Sequence, residues 1–308
     1  MFSAPQLQRD SLGGCFSTSM IPLVVALFTA PVGFQKDSCG PPTLLPAYAH
    51  NDYYNRRPLL DAVAFGYRGA EADVIRVGQE LLVGHSRDET TSRGTLARLY
   101  LDPLVALTHS CGYILSDSTP FLLNIELKDR DPRAFDLLLT LLARYEVLFA
   151  GSRPTAQVTL VGWWPDTVHA TSTWPEFLHV QFRIGGPESA PKSGRRVGLI
   201  SIDYSKVVRW SGRGPIPAEA KEAIASARRL ADSCGVPIRV HHAPARRGVY
   251  EWLLAEGVTL IGSADLERDR QLLIAVHPQP PNKRLKLAAR VDCGMNLSSA
   301  RRSLSAIR

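Results

Sequence analysis

Eight short apolar runs, at residues 44–49, 69–75, 121–128, 158–163, 177–184, 197–204, 237–243 and 259–265, alternate with segments whose apolar residues fall at helical spacing. Such runs read as strands and three-to-four spacing reads as helix, so the alternation predicts repeated βα units. The helical segments are 59–65, 96–108, 134–145, 217–233, 249–255 and 266–275. The fourth begins at Pro217 and is followed by Gly235, as helix termini prefer. Eight strands with intervening helices over about 230 residues suit a (β/α)8 TIM barrel better than an open sheet. The weakest joint is 164–176, where Trp163-Trp164-Pro165 leaves little room for a helix.

Polar residues gather where these runs end, and in parallel α/β folds that is where chemistry is done. Glu71 and Asp73 are separated by one residue inside an apolar run, so they face the same way from a strand. His50 ends the first run, His85 follows Leu81-Leu82-Val83-Gly84, and Glu126 lies near the end of the third predicted strand. Three carboxylates, Glu71, Asp73 and Glu126, supply hard oxygen ligands suited to Mg²⁺ or Ca²⁺ and ill-suited to zinc. An ion there would neutralise a phosphate, while His50 and His85 divide the proton work of displacement as acid and base. Lys128 faces the same side as Glu126 and is expected to meet phosphate or to keep Glu126 ionised. Each residue alone has a duller reading, as a solvated strand end, a surface ion pair or a structural histidine. Their joint occurrence at successive strand ends outweighs those readings. Asp203, Tyr204, His241, His242, Ser263 and Asp265 end later strands and are candidates for the same mouth, with His241 and Trp163 as substrate contacts. Arg246-Arg247 suits a phosphate or a solvated helix start about equally.

The remaining residues bound the class. A chain of 308 residues, 45% hydrophobic and 21% charged, supports one core of about 250 residues with extra at its ends. We divide it into a signal-like and linker segment, 1–40, a barrel, 41–276, and a basic disordered tail, 277–308. The net charge of +7 suggests nucleic acid, but the tail holds seven Lys/Arg against one Asp, a net +6. The body is nearly neutral, so no nucleic-acid face is expected. Residues 20–30 form an apolar run too short to span a bilayer and suited to a secretory signal, which predicts a secreted or periplasmic protein. The five cysteines have no paired short spacing, which argues against a zinc cluster; one or two bridges stay open, and Cys111 and Cys234 read as buried free thiols.

The phrases Ala49-His50-Asn51-Asp52-Tyr53, Pro58-Leu59-Leu60-Asp61-Ala62, Gly69-Ala70-Glu71-Ala72-Asp73-Val74, Leu82-Val83-Gly84-His85-Ser86 and Asn124-Ile125-Glu126-Leu127-Lys128 resemble the PLC-like phosphodiesterase superfamily. The first and fourth, with Thr95 to Leu104, are most similar to the altered inheritance of mitochondria protein 6 family. The resemblance is strong over residues 44–130 and architectural beyond. It implies a TIM barrel with one divalent cation, Mg²⁺ or Ca²⁺, on Glu71, Asp73 and Glu126, with His50 and His85 as the acid/base pair. It also implies a small-molecule or lipid phosphodiester as substrate, attacked by a hydroxyl of its own. Transient contact with a membrane surface is a further expectation, although Lys283-Arg284-Leu285-Lys286 suits a solvated charge run better than a membrane-surface patch. Glycerophosphodiesterases carry His-Arg-Gly where this chain has His50-Asn51-Asp52, so Asn51 takes the place of an arginine that contacts phosphate. The competing class is a catalytically silent barrel that binds a phospholipid or a protein.

Overall fold

In the computed structural model the described residues are 39, 43–162, 174–184 and 196–277, and within them every predicted run forms a strand. The strands are β1 (Ala47–Ala49), β2 (Gly69–Val77), β3 (Glu80–Val83), β4 (Phe121–Leu127), β5 (Ala156–Val161), β6 (Leu178–Ile184), β7 (Val197–Asp203), β8 (Ile238–His241) and β9 (Leu260–Ser263). All except β3 are parallel, in the order β1-β2-β4-β5-β6-β7-β8-β9, and β1 pairs with both β2 and β9. The sheet therefore closes into an eight-stranded parallel barrel. The ninth strand, β3, lies outside the ring as the return arm of an antiparallel hairpin with β2. His85 follows this arm and not a barrel strand, contrary to the expectation that every polar group ends a strand of the ring.

The helices are α1 (Leu60–Phe65), α2 (Thr90–Arg93), α3 (Asp102–Cys111), α4 (Pro132–Ala143), α5 (Tyr204–Val207), α6 (Ala218–Cys234), α7 (Arg247–Ala255) and α8 (Leu266–Val276). The segment predicted as one helix over 96–108 opens with a π-helical turn, Ala97–Leu101, before α3. None of the described helices is long and apolar enough to cross a membrane. Residues 20–30, Trp163, Trp164 and the chain beyond His277 lie outside the described residues, as does most of the joint at 164–176.

Period-two alternation separates two cores. Ala70, Ala72 and Val74 of β2 join a large apolar cluster with Ala62, Leu104 and Leu138 of the surrounding helices. Inside the ring, Tyr48, Leu122, Leu199 and Leu260 form a separate buried cluster toward the N-terminal ends of the strands. Above it the interior turns polar, with Asn124, Gln181 and Arg239 buried. Packing here is tight: a Cβ on Gly69 would stand 2.5 Å from the Leu122 carbonyl oxygen.

Cys111 is not a free thiol. It bonds Cys39, with a Cα–Cα separation of 5.6 Å, and ties the chain ahead of β1 to the end of α3. Cys234 is disulfide-bonded as well. The Cys39–Cys111 bridge spans a sequence separation of 72 residues. Closing a long loop removes entropy from the unfolded chain, so Cys111→Ser is expected to cost about 2–4 kcal/mol, read as a lower denaturant midpoint.

Candidate active site

The first histidine is positioned by a tightly specified loop. Its own backbone N–H donates to the Ser263 carbonyl at 2.7 Å, continuing the β1–β9 pairing by one residue. Asn51 then adopts a left-handed conformation, φ 50°, which asparagine tolerates better than most residues. Asp52 is fully buried, accepting from the Leu59 N–H and from Asn55 Nδ2 at 3.0 Å, so it braces the loop from within and does not face the mouth. Burial pushes its carboxyl from 3.8 up to about 6, against the pull of those donors. The folded-state pKa lies above the unfolded one, so Asp52 contributes most below about pH 4 and that contribution is lost as pH rises through about 6. Wild type should therefore lose stability relative to Asp52→Asn across that window, which paired urea titrations would show.

The carboxylates meet because β2 and β4 are in register, with Asp73 opposite Glu126. One oxygen from each of Glu71, Asp73 and Glu126 lies within 4.8 Å of the others. The two oxygens of Asp73 differ sharply. Its Oδ2 meets the Tyr53 hydroxyl at 2.8 Å, His85 Nδ1 at 2.8 Å and Lys128 Nζ at 3.3 Å. Among the described residues its Oδ1 is buried without a hydrogen-bond partner. A buried carboxylate oxygen left alone is costly, and a cation is the natural partner for it. The donor set therefore fits a hard divalent ion.

Electrostatics points the same way. Burial and then the neighbouring Asp73 push the Glu126 carboxyl above its usual range, despite Lys128 Nζ at 3.2 Å. Burial opposes the Lys128 ammonium, yet Asp73 and Glu126 together hold its pKa above the ordinary value. Glu71 behaves differently. Burial acts to raise it, but Arg239, which donates to both of its oxygens at 3.1 and 3.2 Å, and then His50 hold it below the usual range. Glu71 is thus fixed as an anion, and Glu126 is the carboxylate that gains most from a bound cation.

The two histidines differ in setting. His50 Nε2 lies 3.5 Å from Glu71 Oε2, and only 16% of its side chain is exposed. Burial holds the ring's pKa below normal in spite of Glu71, so His50 is neutral near pH 7. His85 is 52% exposed. It reaches Asp73 because the β2–β3 hairpin folds back, the Gly84 N–H donating to the Asp73 carbonyl at 3.0 Å and the His85 N–H to Glu89 Oε2 at 3.2 Å.

His241 lies at the same mouth, its ring centroid 5.7 Å from that of His50. Other candidates serve structure: the Tyr204 hydroxyl donates to the Trp210 carbonyl, Asp265 caps α8, and Arg247 pairs with Glu251. Two residues were not anticipated. Tyr53 orients Asp73, and Arg239, fully enclosed, anchors Glu71 from across the ring. The clue to Arg239 was present in Ile238-Arg239-Val240-His241, where alternation turns the arginine to the same side as His241.

Gly162 follows β5 beside this cluster with φ 73°, and a Cβ there would stand 3.0 Å from Glu126 Oε1. Gly162→Ala should displace that carboxylate and weaken divalent-ion binding about 10–100-fold, measured by calorimetry, while the protein still folds.

Comparison with known proteins finds similarity over four of the five motifs, and Asn124 to Lys128 falls outside the matched residues. Residues 42–119 match the model of the AIM6-like phosphodiesterase domain. Altered inheritance of mitochondria protein 6 of Eremothecium gossypii is 43% identical over 68 residues, covering 21% of this chain and 18% of that protein. Its namesake in Saccharomyces cerevisiae is 34% identical over 76 residues, covering 24% and 20%. The matches thus span about a fifth of those relatives' length. Among solved structures, a glycerophosphodiester phosphodiesterase from Parabacteroides distasonis covers 77% of this chain and 100% of its own at 14% identity, TM-score 0.48. A phosphodiesterase from Oleispira antarctica in complex with sn-glycerol-3-phosphate covers 76% and 98% at 13% identity, TM-score 0.47. The resemblance read from the motifs is found independently over residues 42–119, where this chain matches the AIM6-like phosphodiesterase domain.

Proposed function

We propose that this protein is a metal-dependent phosphoric diester hydrolase or lyase acting on a small-molecule or lipid phosphodiester. The observation that carries the reading is the orphaned Oδ1 of Asp73, buried within a carboxylate trio that has a histidine on either flank. A divalent cation held by Glu71, Asp73 and Glu126 would supply charge neutralisation at the phosphate oxygens.

The protein's own groups do the rest. His50, neutral and close-packed, accepts the proton of the attacking hydroxyl, whether from the substrate itself or from water. His85, oriented through Nδ1 by Asp73 and exposed at the mouth, gives a proton to the leaving oxygen. An attacking hydroxyl of the substrate yields a cyclic phosphate and water yields a monoester; in both cases the leaving alcohol takes the proton. Lys128 contributes a fixed positive charge beside the trio. An exported location and contact with membrane surfaces belong to the same proposal, and the apolar run at 20–30 supports the first.

The test is hydrolysis of bis-p-nitrophenyl phosphate by the purified chain. Activity lost on EDTA treatment and in His50→Ala supports the enzyme. Tight binding of phospholipid vesicles with no turnover under Mg²⁺, Ca²⁺ or Mn²⁺ would establish the silent binder instead.

A further inference from the structure

A second constellation lies across His50 from the carboxylate trio. Asp203 ends β7 and His241 ends β8, and the two are paired in register, so their side chains lie on the same side of the sheet. His242 would point the other way if the strand continued. Its backbone is instead left-handed, φ 58°, an uncommon conformation for a side chain with a Cβ, and its Nδ1 comes to 3.1 Å from Asp203 Oδ1. His241 is turned so that its Nδ1 lies 3.3 Å from the buried Ser201 hydroxyl, and its Nε2 faces Asp203 Oδ2 at 4.0 Å. That gap is too long for a hydrogen bond. Donors each about 2 Å from one ion stand about 3–4 Å apart; His242 Nδ1 falls in that range from Asp203 Oδ1, and His241 Nε2 stands at its upper end from Oδ2.

We infer that Asp203, His241 and His242 form a second metal site, selective for a borderline ion of the zinc and cobalt class. One donor atom from each of these residues lies within 4.8 Å of the others. Two imidazole nitrogens and one carboxylate oxygen are the ligand chemistry such ions prefer, whereas the all-oxygen trio of Glu71, Asp73 and Glu126 suits Mg²⁺ or Ca²⁺. The site has the outer support expected of a metal centre: Ser201 Oγ holds the angle of the His241 ring through Nδ1, and Ser205 Oγ donates to Asp203 Oδ1 at 2.6 Å. Lys206 Nζ reaches Asp203 Oδ2 at 3.2 Å from a side chain that is 60% exposed, so it can swing out to solvent. His50 lies between the two clusters, its ring centroid 5.1 Å from that of His242 and its Nε2 3.5 Å from Glu71. An ion on Asp203, His241 and His242 would thus lie beside His50 and add positive charge at the phosphate. That role rests on the proposed phosphodiesterase reading; the existence of the site does not.

The probe is Co²⁺ itself, titrated into the metal-stripped full-length chain and followed by its visible d–d absorption, with Zn²⁺ as competitor. Wild type should develop a nitrogen-ligated Co²⁺ spectrum that Zn²⁺ abolishes and excess Mg²⁺ does not. His242→Gln, at a half-exposed position, should lose that spectrum while circular dichroism remains native. Ser201→Ala should weaken the site about 10–100-fold, and Glu71→Gln should leave the spectrum intact. A featureless Co²⁺ titration in wild type overturns the inference, as does a spectrum unchanged in folded His242→Gln. Loss of diester hydrolysis in Glu71→Gln with the spectrum retained supports both sites, while absent hydrolysis in wild type with the spectrum present removes the enzyme reading and leaves this site standing.

Discussion

His50→Ala is expected to lower kcat/KM for a phosphodiester about 10²–10⁴-fold, the usual worth of a positioned general base. The loss should fall on kcat, because the ring contributes proton transfer while Lys128 and the carboxylate trio remain to bind substrate and ion. His50 is well placed for that role. It is held by a backbone bond to Ser263, packed among the rings of Tyr48, His241 and His242, and kept neutral chiefly by burial. His50→Gln keeps most of the volume and should lose activity to the same degree with a native thermal midpoint, which separates chemistry from folding. His85→Ala should lose as much with substrates whose leaving alcohol is poor, and far less with p-nitrophenyl esters, because nitrophenolate departs without a proton. Steady-state rates on the two leaving groups would show the split.

The largest effect on stability is expected at Arg239. Its guanidinium is 1% exposed, donates to both oxygens of Glu71 and lies 4.2 Å above the ring of Tyr48. Arg239→Leu leaves the Glu71 carboxylate buried without its main counter-charge, and breaking a buried pair in this way costs about 3–5 kcal/mol. Replacing both partners, Arg239→Leu with Glu71→Leu, should recover much of that loss, because the penalty comes from the stranded charge and not from the missing bond. Denaturant midpoints of the two single variants and the double variant close the cycle. A single-variant loss near that of an ordinary surface change would show that Glu71 takes up a proton or solvent freely, and the picture of a rigid ion-binding carboxylate would then be wrong.

How much of this was legible before folding depends on whether the signal was local. The eight barrel strands were readable because each is a continuous apolar run, and Glu71 and Asp73 declared themselves by standing two apart within one of them. The β2–β3 hairpin was not legible because Leu81-Leu82-Val83 is too short a run to stand out beside the eight strands of the ring. Its consequence is that His85 reaches Asp73 from outside the barrel. Arg239 is 168 residues from Glu71, and only closure of the ring brings them together. The Cys39–Cys111 bridge was equally invisible, since connectivity does not follow from spacing. His242 was legible as a candidate for the mouth, but its turn toward Asp203 was not, because nothing in a sequence announces a left-handed histidine.

The central claim is that the carboxylate trio and the two histidines at the barrel mouth cleave a phosphodiester. The direct measurement is ³¹P NMR of the purified chain with a panel of glycerophosphodiesters and phospholipid head-group diesters in Mg²⁺ or Ca²⁺. The account predicts that at least one diester resonance gives way to a cyclic phosphate or a monoester, that EDTA stops the change, and that restoring the ion resumes it. Diester signals that persist unchanged while calorimetry records the divalent ion bound to the trio would contradict it.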